Sequence, residues 1–507
     1  MQPPASGDPV DVLIVGGGIN GCGIARDAAG RGLSVTLCEM GDLAGATSSA
    51  STKLFHGGLR YLEHYEFRLV REALIEREIL WRNMPHIAWP MRFVLPHHKG
   101  LRPFWLIRLG LFLYDHLGGR RYLPPTRVVD LRKDAVGVPL QAAFVRGFEY
   151  SDCWVDDARL VVLNARDAAD RGATIMTWTR LETARRDGAL WHAELRDLSS
   201  GASFSVKARA LVNAAGPWVG EISANRLQAQ HPPKVRLVRG SHIVTKRLFD
   251  HDRCYVLQNA DNRIVFAIPY EENFTLIGTT DREHHDDPSE VRCTVEEVTY
   301  LRDIVSTYFR KPLEDSDIVR TFAGVRPLVD DGSASASATT RDYLLKLEAG
   351  EGEPPLLTIL GGKITTFRRL SEVALWKLQP HFPAMRGSWT ATAPLPGGDF
   401  VAEERDREIA ALRQRYAFLD RIWAQRLWRS YGTQAADVLG EAESAGDLGR
   451  CLGWNLTERE VRWLVEREWA RSADDILWRR SKLGLRLTAE EAAGLEDWLQ
   501  ENAPGVA

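Results

Sequence analysis

Few local patterns restrict a fold as tightly as a glycine-rich turn held between an apolar strand and a small-residue helix, and this chain begins with one. Val12-Leu13-Ile14-Val15 is a continuous apolar run, as expected of a parallel strand buried on both faces. Gly16-Gly17-Gly18-Ile19-Asn20-Gly21 follows at once and matches G-x-G-x-x-G. Ile24, Ala25, Ala28 and Ala29 then form a helix that can lie close to a sheet, Gly30 and Gly32 end it, and Val35-Thr36-Leu37-Cys38 is the next strand. In this setting Gly16 permits the tight turn, Gly18 lets the backbone approach a pyrophosphate, and Gly21 lets helix and strand pack closely. The helix N-terminus, with Ile19 and Asn20 in its first turn, presents N–H groups and a positive dipole end to the phosphates. Glu39 closes the second strand. A carboxylate there accepts hydrogen bonds from an adenosine ribose and repels a 2′-phosphate. The unit therefore reads as a dinucleotide site, and it leaves NAD and FAD undistinguished.

At 507 residues the chain is long enough for two or three domains. Its charged residues nearly cancel, 65 basic against 68 acidic, so no global field invites nucleic acid and an anionic ligand needs a local cluster of cations. Six cysteines stand without a C-x-x-C pair or zinc spacing, which suits buried thiols in a reducing compartment. His284-His285 and Asp286-Asp287 lie among charges and a proline and read as an exposed loop, so no metal site is indicated. The first residues, MQPPASGDP, lack the pattern of a secretory signal, and no run approaches the length of a membrane span. The expectation is a protein made and kept in the cytoplasm.

Apolar residues at helical spacing (Phe67, Val70, Leu74, Ile75, Ile79) predict a helix from Phe67 to Arg82. Strand-like runs return at 210–213, 263–268 and 274–277, and 333–340 reads as a loop of small residues. Beyond Gly397-Gly398 the pattern is helical, as in Ile409, Leu412, Tyr416 and Leu419 and again in Val461, Leu464, Val465 and Trp469. That tail is expected to be a separate helical domain.

Three further segments recur with the glycine turn in one flavoprotein fold: Ala46-Thr47-Ser48-Ser49-Ala50-Ser51-Thr52-Lys53, Leu211-Val212-Asn213-Ala214-Ala215-Gly216-Pro217-Trp218, and Gly361-Gly362-Lys363-Ile364-Thr365-Thr366. In this order they resemble the glutathione-reductase-type FAD fold of the glycine/D-amino-acid oxidase group. His56-Gly57-Gly58-Leu59-Arg60-Tyr61-Leu62, Gly147 to Asp152, Gly240-Ser241-His242, Gly278-Thr279-Thr280-Asp281, Gly324-Val325-Arg326-Pro327-Leu328 and Arg341-Asp342-Tyr343 narrow the resemblance to the FAD-dependent, respiratory glycerol-3-phosphate dehydrogenases. It runs from about Asp11 to Lys377, and the helical tail is similar to that family's C-terminal cap. The departures are a proline-rich N-terminal extension and the loop at 333–340.

The resemblance implies an α/β protein: a Rossmann FAD-binding domain from 10–83, 148–230 and 320–388, a mixed-sheet substrate domain from 84–147 and 231–319, and an all-α cap at 389–507. It implies FAD as cofactor, with Gly16, Gly18, Ile19, Asn20, Gly21, Glu39, Thr47, Ser48, Ser49, Ser51, Lys53, Gly57, Gly58, Ala215, Gly216, Gly362, Lys363, Ile364 and Thr365 around it. It also implies oxidation of glycerol 3-phosphate to dihydroxyacetone phosphate, with electrons passed to a membrane quinone. Arg326 and Arg341 are then the phosphate ligands, since arginine forks match phosphate oxygens, and Arg60, Tyr61 and Lys363 lie near the reacting end. His242 is the first candidate for the proton acceptor and His56 the second; Lys363 suits stabilisation of the developing alkoxide. Each has a structural alternative: Arg326 bonding backbone carbonyls, Arg341 paired with Asp342, His242 a core histidine.

Leu101 to Tyr114 is strongly apolar and aromatic, with His97, His98 and Lys99 before it and Arg120-Arg121 after it. It suits either a segment lying in a membrane interface or a buried core helix. The family's quinone chemistry favours peripheral attachment on the cytoplasmic side of the inner membrane. Trp463, Trp469, Trp478, Arg479 and Arg480 in the tail read as sharers of that contact or as part of a homodimer interface. A soluble oxidase passing electrons to oxygen is the nearest rival.

Overall fold

The computed structural model describes residues 7–229, 231–259, 261, 263–330 and 342–503. Its first sheet places Leu356–Leu360, Ser203–Asn213, Val10–Val15, Val35–Cys38 and Thr174–Met176 side by side and parallel, with Leu344–Glu348 antiparallel at one edge. Side-chain alternation explains the continuous apolar run in Val10–Val15. Val12 and Ile14 face one core with the helices Ile19–Gly30, Asp157–Asp170 and Phe367–Leu378, whereas Leu13 and Val15 face a second core under the hairpin Thr179–Asp187 and Leu190–Asp197. All four side chains are buried.

The second sheet is mixed. Its order runs Arg282–Glu283, Val235–Lys246, Phe274–Gly278, Ile264–Tyr270, Cys254–Gln258, Ala88–Pro96, Arg146–Val155 and Leu54–Phe55. Ile318–Val329 pairs antiparallel along nearly all of Val235–Lys246, so the stretch that carries Arg326 is part of this sheet, although residues 320–388 were grouped on sequence grounds with the nucleotide domain. One face packs on the helix Val295–Tyr308. The other, with Phe93, Val244, Ile268 and Leu276, packs on Phe67–Asn83 and Phe104–Leu117.

From Ala402 onward the described chain is helical and has its own core, including Leu427, Trp428, Val461, Leu464, Ile476, Leu495 and Trp498. Buried ion pairs tie this cap to the rest: Arg159 with Glu468, and Arg480 with Asp42. The tail tryptophans Trp463 and Trp478 pack partly buried against the cap core, and Trp469 against the nucleotide-domain core, while Arg480 is buried and Arg479 half-buried.

The apolar segment at 101–114 becomes the helix Phe104–Leu117, and its two faces divide the two readings between them. Leu111 and Tyr114 are buried, while Trp105 is 68% exposed and Leu109 and Phe112 are each 48% exposed. No helix among the described residues is long and apolar enough to cross a membrane. His284, in the loop read as exposed, is in fact buried, while His285, Asp286 and Asp287 face solvent. No group of three His, Cys, Asp or Glu among the described residues is placed to hold a metal.

Candidate active site

Two turns separated by more than three hundred residues meet. Asn20 Nδ2 donates to the carbonyl of Gly361 at 3.2 Å, which joins the first glycine turn to Gly361-Gly362-Lys363. The cause is topological. Val10–Val15 and Leu356–Leu360 flank Ser203–Asn213 in a parallel sheet, so their C-terminal ends open at one edge. Ala215 and Gly216 leave the middle strand at that edge.

The glycine turn is shaped by contacts no larger residue tolerates. Gly16 has φ +113°, and a Cβ on Gly21 would lie 1.9 Å from the Gly16 carbonyl oxygen. Ile19 N–H donates to Ser48 Oγ at 3.0 Å, and Glu39 accepts from Gly17 N–H at 2.6 Å and Gly41 N–H at 2.8 Å. Loss of hydration raises the Glu39 carboxyl above its ordinary pKa, and the two N–H donors oppose that shift. Asn20 Oδ1 is buried with no hydrogen-bond partner among the described residues. A helix N-terminus, an unobstructed backbone, a carboxylate and an unfilled amide acceptor fit a dinucleotide.

The hydroxyl-rich loop divides its tasks. Ser48 faces the glycine turn, and Thr47 Oγ1 donates to the Val325 carbonyl at 2.6 Å, tying the loop to the strand of Arg326. Ser49 Oγ donates to Ala46 O at 3.2 Å. Ser51 Oγ and Lys53 Nζ both turn to Asp157, at 2.7 and 2.6 Å, the first residue of Asp157–Asp170. Lys53 is buried with that carboxylate, and the two side chains hold the loop in place. Lone charges are costly inside a protein, so a lysine on this loop needs such a partner.

The wall opposite the glycine turn comes from the second sheet. His242 stands opposite both Gly278 and Phe322 in its ladders. Its ring stacks on Phe322 at 4.9 Å, Nε2 lies 3.0 Å from Thr52 Oγ1, and a Cβ on Gly278 would come within 2.0 Å of the ring. Nδ1 has no hydrogen-bond partner among the described residues. Burial, with Arg326 and Lys53 nearby, lowers the His242 pKa well below the ordinary value, so the ring is neutral. Arg326 pairs with Asp281, and its Nη2 donates to Thr279 Oγ1 at 3.0 Å. Phe266, also opposite Gly278, lies 6.5 Å from the His56 ring. The two histidines therefore line one wall.

His56 belongs to a loop braced from behind. Its N–H donates to Thr365 Oγ1 at 3.2 Å. Gly57 N–H donates to Tyr114 Oη at 2.8 Å, Tyr114 donates to Asp152 at 2.8 Å, and Arg77 donates to Asp152 at 2.6 Å. Desolvation, then Lys363 and Arg77, lower the His56 pKa to about 4. The Lys363 ammonium sits 3.8 Å from the centre of the Tyr61 ring. Tyr61 and half-buried Arg60 share the short helix Leu59–His64, whose N-cap is Gly58. Ile364 and Thr365 open the turn leading into Phe367–Leu378. Arg341 lies outside the described residues.

Thr52, Arg77, Tyr114, Asp157, Thr279 and Asp281 were not singled out from the sequence. Asp152, Thr279 and Asp281 lay inside the quoted motifs without a role. A lone tyrosine in an apolar helix was the available signal for Tyr114, since a buried phenol needs a partner.

A family model described as FAD dependent oxidoreductase matches residues 11–368, and one described as the C-terminal domain of alpha-glycerophosphate oxidase matches residues 388–500. The chain belongs to the FAD-dependent oxidoreductase family. FAD is accordingly the cofactor of this chain. Within this family the chain is 55% identical to a glycerol-3-phosphate dehydrogenase of Pseudomonas aeruginosa, covering 97% of this chain and 96% of that one. It is 50% identical to a D-erythritol 1-phosphate dehydrogenase of Brucella abortus, covering 99% and 100%. A solved glycerol-3-phosphate dehydrogenase of Bacillus halodurans in complex with FAD superposes with a TM-score of 0.76 at 25% identity, covering 99% and 96%.

Proposed function

We propose that this protein oxidises glycerol 3-phosphate to dihydroxyacetone phosphate and passes the electrons to a membrane quinone. What carries this reading is the grouping of cations and neutral imidazoles beside the glycine turn: Arg326 stands near His242, and Lys363 near His56. Bound FAD supplies the hydride acceptor for the carbon-bound hydrogen. The chain's own residues do the rest. Arg326, held by Thr279 and Asp281, binds the phosphate together with Arg341, while Arg60 and Tyr61 stand near the reacting end. Lys363 stabilises negative charge as the hydroxyl is deprotonated. An imidazole takes that proton, and a neutral ring is the form able to do so. His242 is the first choice because Nδ1 has no hydrogen-bond partner among the described residues.

The exposed Trp105, Leu109 and Phe112 on Phe104–Leu117 support peripheral contact with a membrane surface on the cytoplasmic side, where a quinone is reached. The deciding experiment is anaerobic addition of glycerol 3-phosphate, and separately glycerol, to the purified protein. The oxidised-flavin absorbance should fall with the phosphate ester alone; bleaching by glycerol, or by neither, removes the reading. The similarity to the erythritol-phosphate enzyme favours a second reading in which a four-carbon polyol phosphate is the better substrate. A higher kcat/KM for D-erythritol 1-phosphate would select it. Peroxide formed under air faster than a quinone analogue is reduced would select the oxidase instead.

A further inference from the structure

We propose that the cap is a latch on the FAD site: its two adjacent arginines, Arg479 and Arg480, set how firmly FAD is retained by fixing the loop that shapes the glycine turn. Both backbone polar groups of Gly17 are held by the segment following the second strand. Gly17 N–H donates to Glu39 at 2.6 Å, and Gly17 O accepts from Ala44 N–H at 3.1 Å. Between those two residues lies Asp42, 4% exposed, whose carboxylate is gripped from the cap. Arg480 Nη1 donates to Oδ2 and Nη2 to Oδ1, each at 2.6 Å, and Arg479 Nε also donates to Oδ2. Arg480 also donates from Nη2 to the Glu468 carbonyl at 2.7 Å, and Glu468 in turn pairs with Arg159.

The local helix is what lets consecutive residues converge. Asp475–Arg480 has the wide π-type winding, an uncommon conformation that recurs at functional sites, and both side chains reach one carboxylate. A bidentate fork on a buried carboxylate fixes direction as well as position. If the cap shifts, Asp42 is left as a buried unpaired charge close to Glu39 and has to move toward water. Glu39, Ala44 and Ser48 would move with it, and those three residues hold Gly17 and Ile19. Arg480, only 1% exposed, therefore points into the body of the protein.

The test is FAD titration of the full-length apoprotein, followed by quenching of flavin fluorescence, with circular dichroism and melting of each apoprotein alongside. Arg480→Gln and Asp42→Asn should each weaken FAD binding by about tenfold or more, the loss of a charge-assisted hydrogen bond, and Arg480→Lys should recover part of it. Arg486→Gln removes a different cap-to-body contact, the bond from Arg486 Nη2 to the Glu271 carbonyl at 2.8 Å, which involves neither Asp42 nor its two arginines, and it should leave FAD affinity within about twofold of wild type even where melting falls. The latch is overturned if Arg480→Gln and Asp42→Asn bind FAD as wild type does. It is equally overturned if Arg486→Gln loses FAD as much as they do, because the effect would then be general destabilisation. Should Arg480→Gln fail to fold, the nearly isosteric Asp42→Asn decides alone.

Discussion

The two ends of the cleft are built from different materials. At the nucleotide end the working parts are backbone geometry: a turn at Gly16 that accepts only glycine, a Gly21 with no room for a side chain, and Gly17 and Ile19 N–H groups fixed by Glu39 and Ser48. At the substrate end they are side chains of distant segments, His56, His242, Arg326 and Lys363, set on strands and turns of both sheets. Backbone groups cannot be replaced one at a time, whereas side chains can. The first end should therefore fail as a unit and the second residue by residue.

The sharpest break is Gly21→Val. Its Cβ would sit 1.9 Å from a backbone oxygen, and overpacking of that kind costs about 3 kcal/mol or more. The expected result is a colourless protein, or one whose FAD affinity has fallen about 100-fold or further; a yellow variant with normal affinity would deny the backbone character of this end. At the other end, His242→Asn should keep its FAD and slow anaerobic flavin reduction by about 10²- to 10⁴-fold, the usual contribution of a general base. If His56→Asn shows the larger loss, the two histidines exchange roles. Arg326→Gln should mainly raise KM for the phosphate ester, by about 10- to 100-fold for a lost charge-assisted bond. Unchanged KM with reduced kcat would move Arg326 from phosphate binding to the reacting centre.

The smallest effect is on stability against pH, and it has opposite signs at the two ends. The folded-state pKa of His242 is depressed, so its contribution is present above the unfolded value near 6.5 and is lost as pH falls below it. The folded-state pKa of Glu39 is raised, so its contribution is largest at low pH and lost as pH rises. Chemical denaturation between pH 6.5 and 5 should give His242→Asn a slope shallower than wild type by up to about 1.4 kcal/mol per pH unit, and Glu39→Gln a steeper one. Parallel slopes in all three proteins would erase the electrostatic difference between the ends.

Residue by residue, the nucleotide end was legible because its signal is contiguous. Strand, turn, helix and terminal acid occupy 10–39, and each glycine there answers a local steric demand. Legibility fell off where a residue's partner lies far along the chain. The partner that Ser51 and Lys53 share, Asp157, stands 106 and 104 residues further on and gave no local signal. The tail arginines resembled a surface, yet Asp42 claims them. Tyr114 looked like one more apolar-helix residue until Gly57 and Asp152 appeared beside its hydroxyl.

By itself the sequence determined the classes of element, the nucleotide cradle and the chemical types available for catalysis, because periodicity, glycine geometry and side-chain chemistry are properties of short windows. Tertiary structure alone decided which charges are spent on each other and which face the cleft. An ion pair depends on distance in space, and the chain brings residues 42 and 480, or 53 and 157, together only after both sheets and the cap have formed.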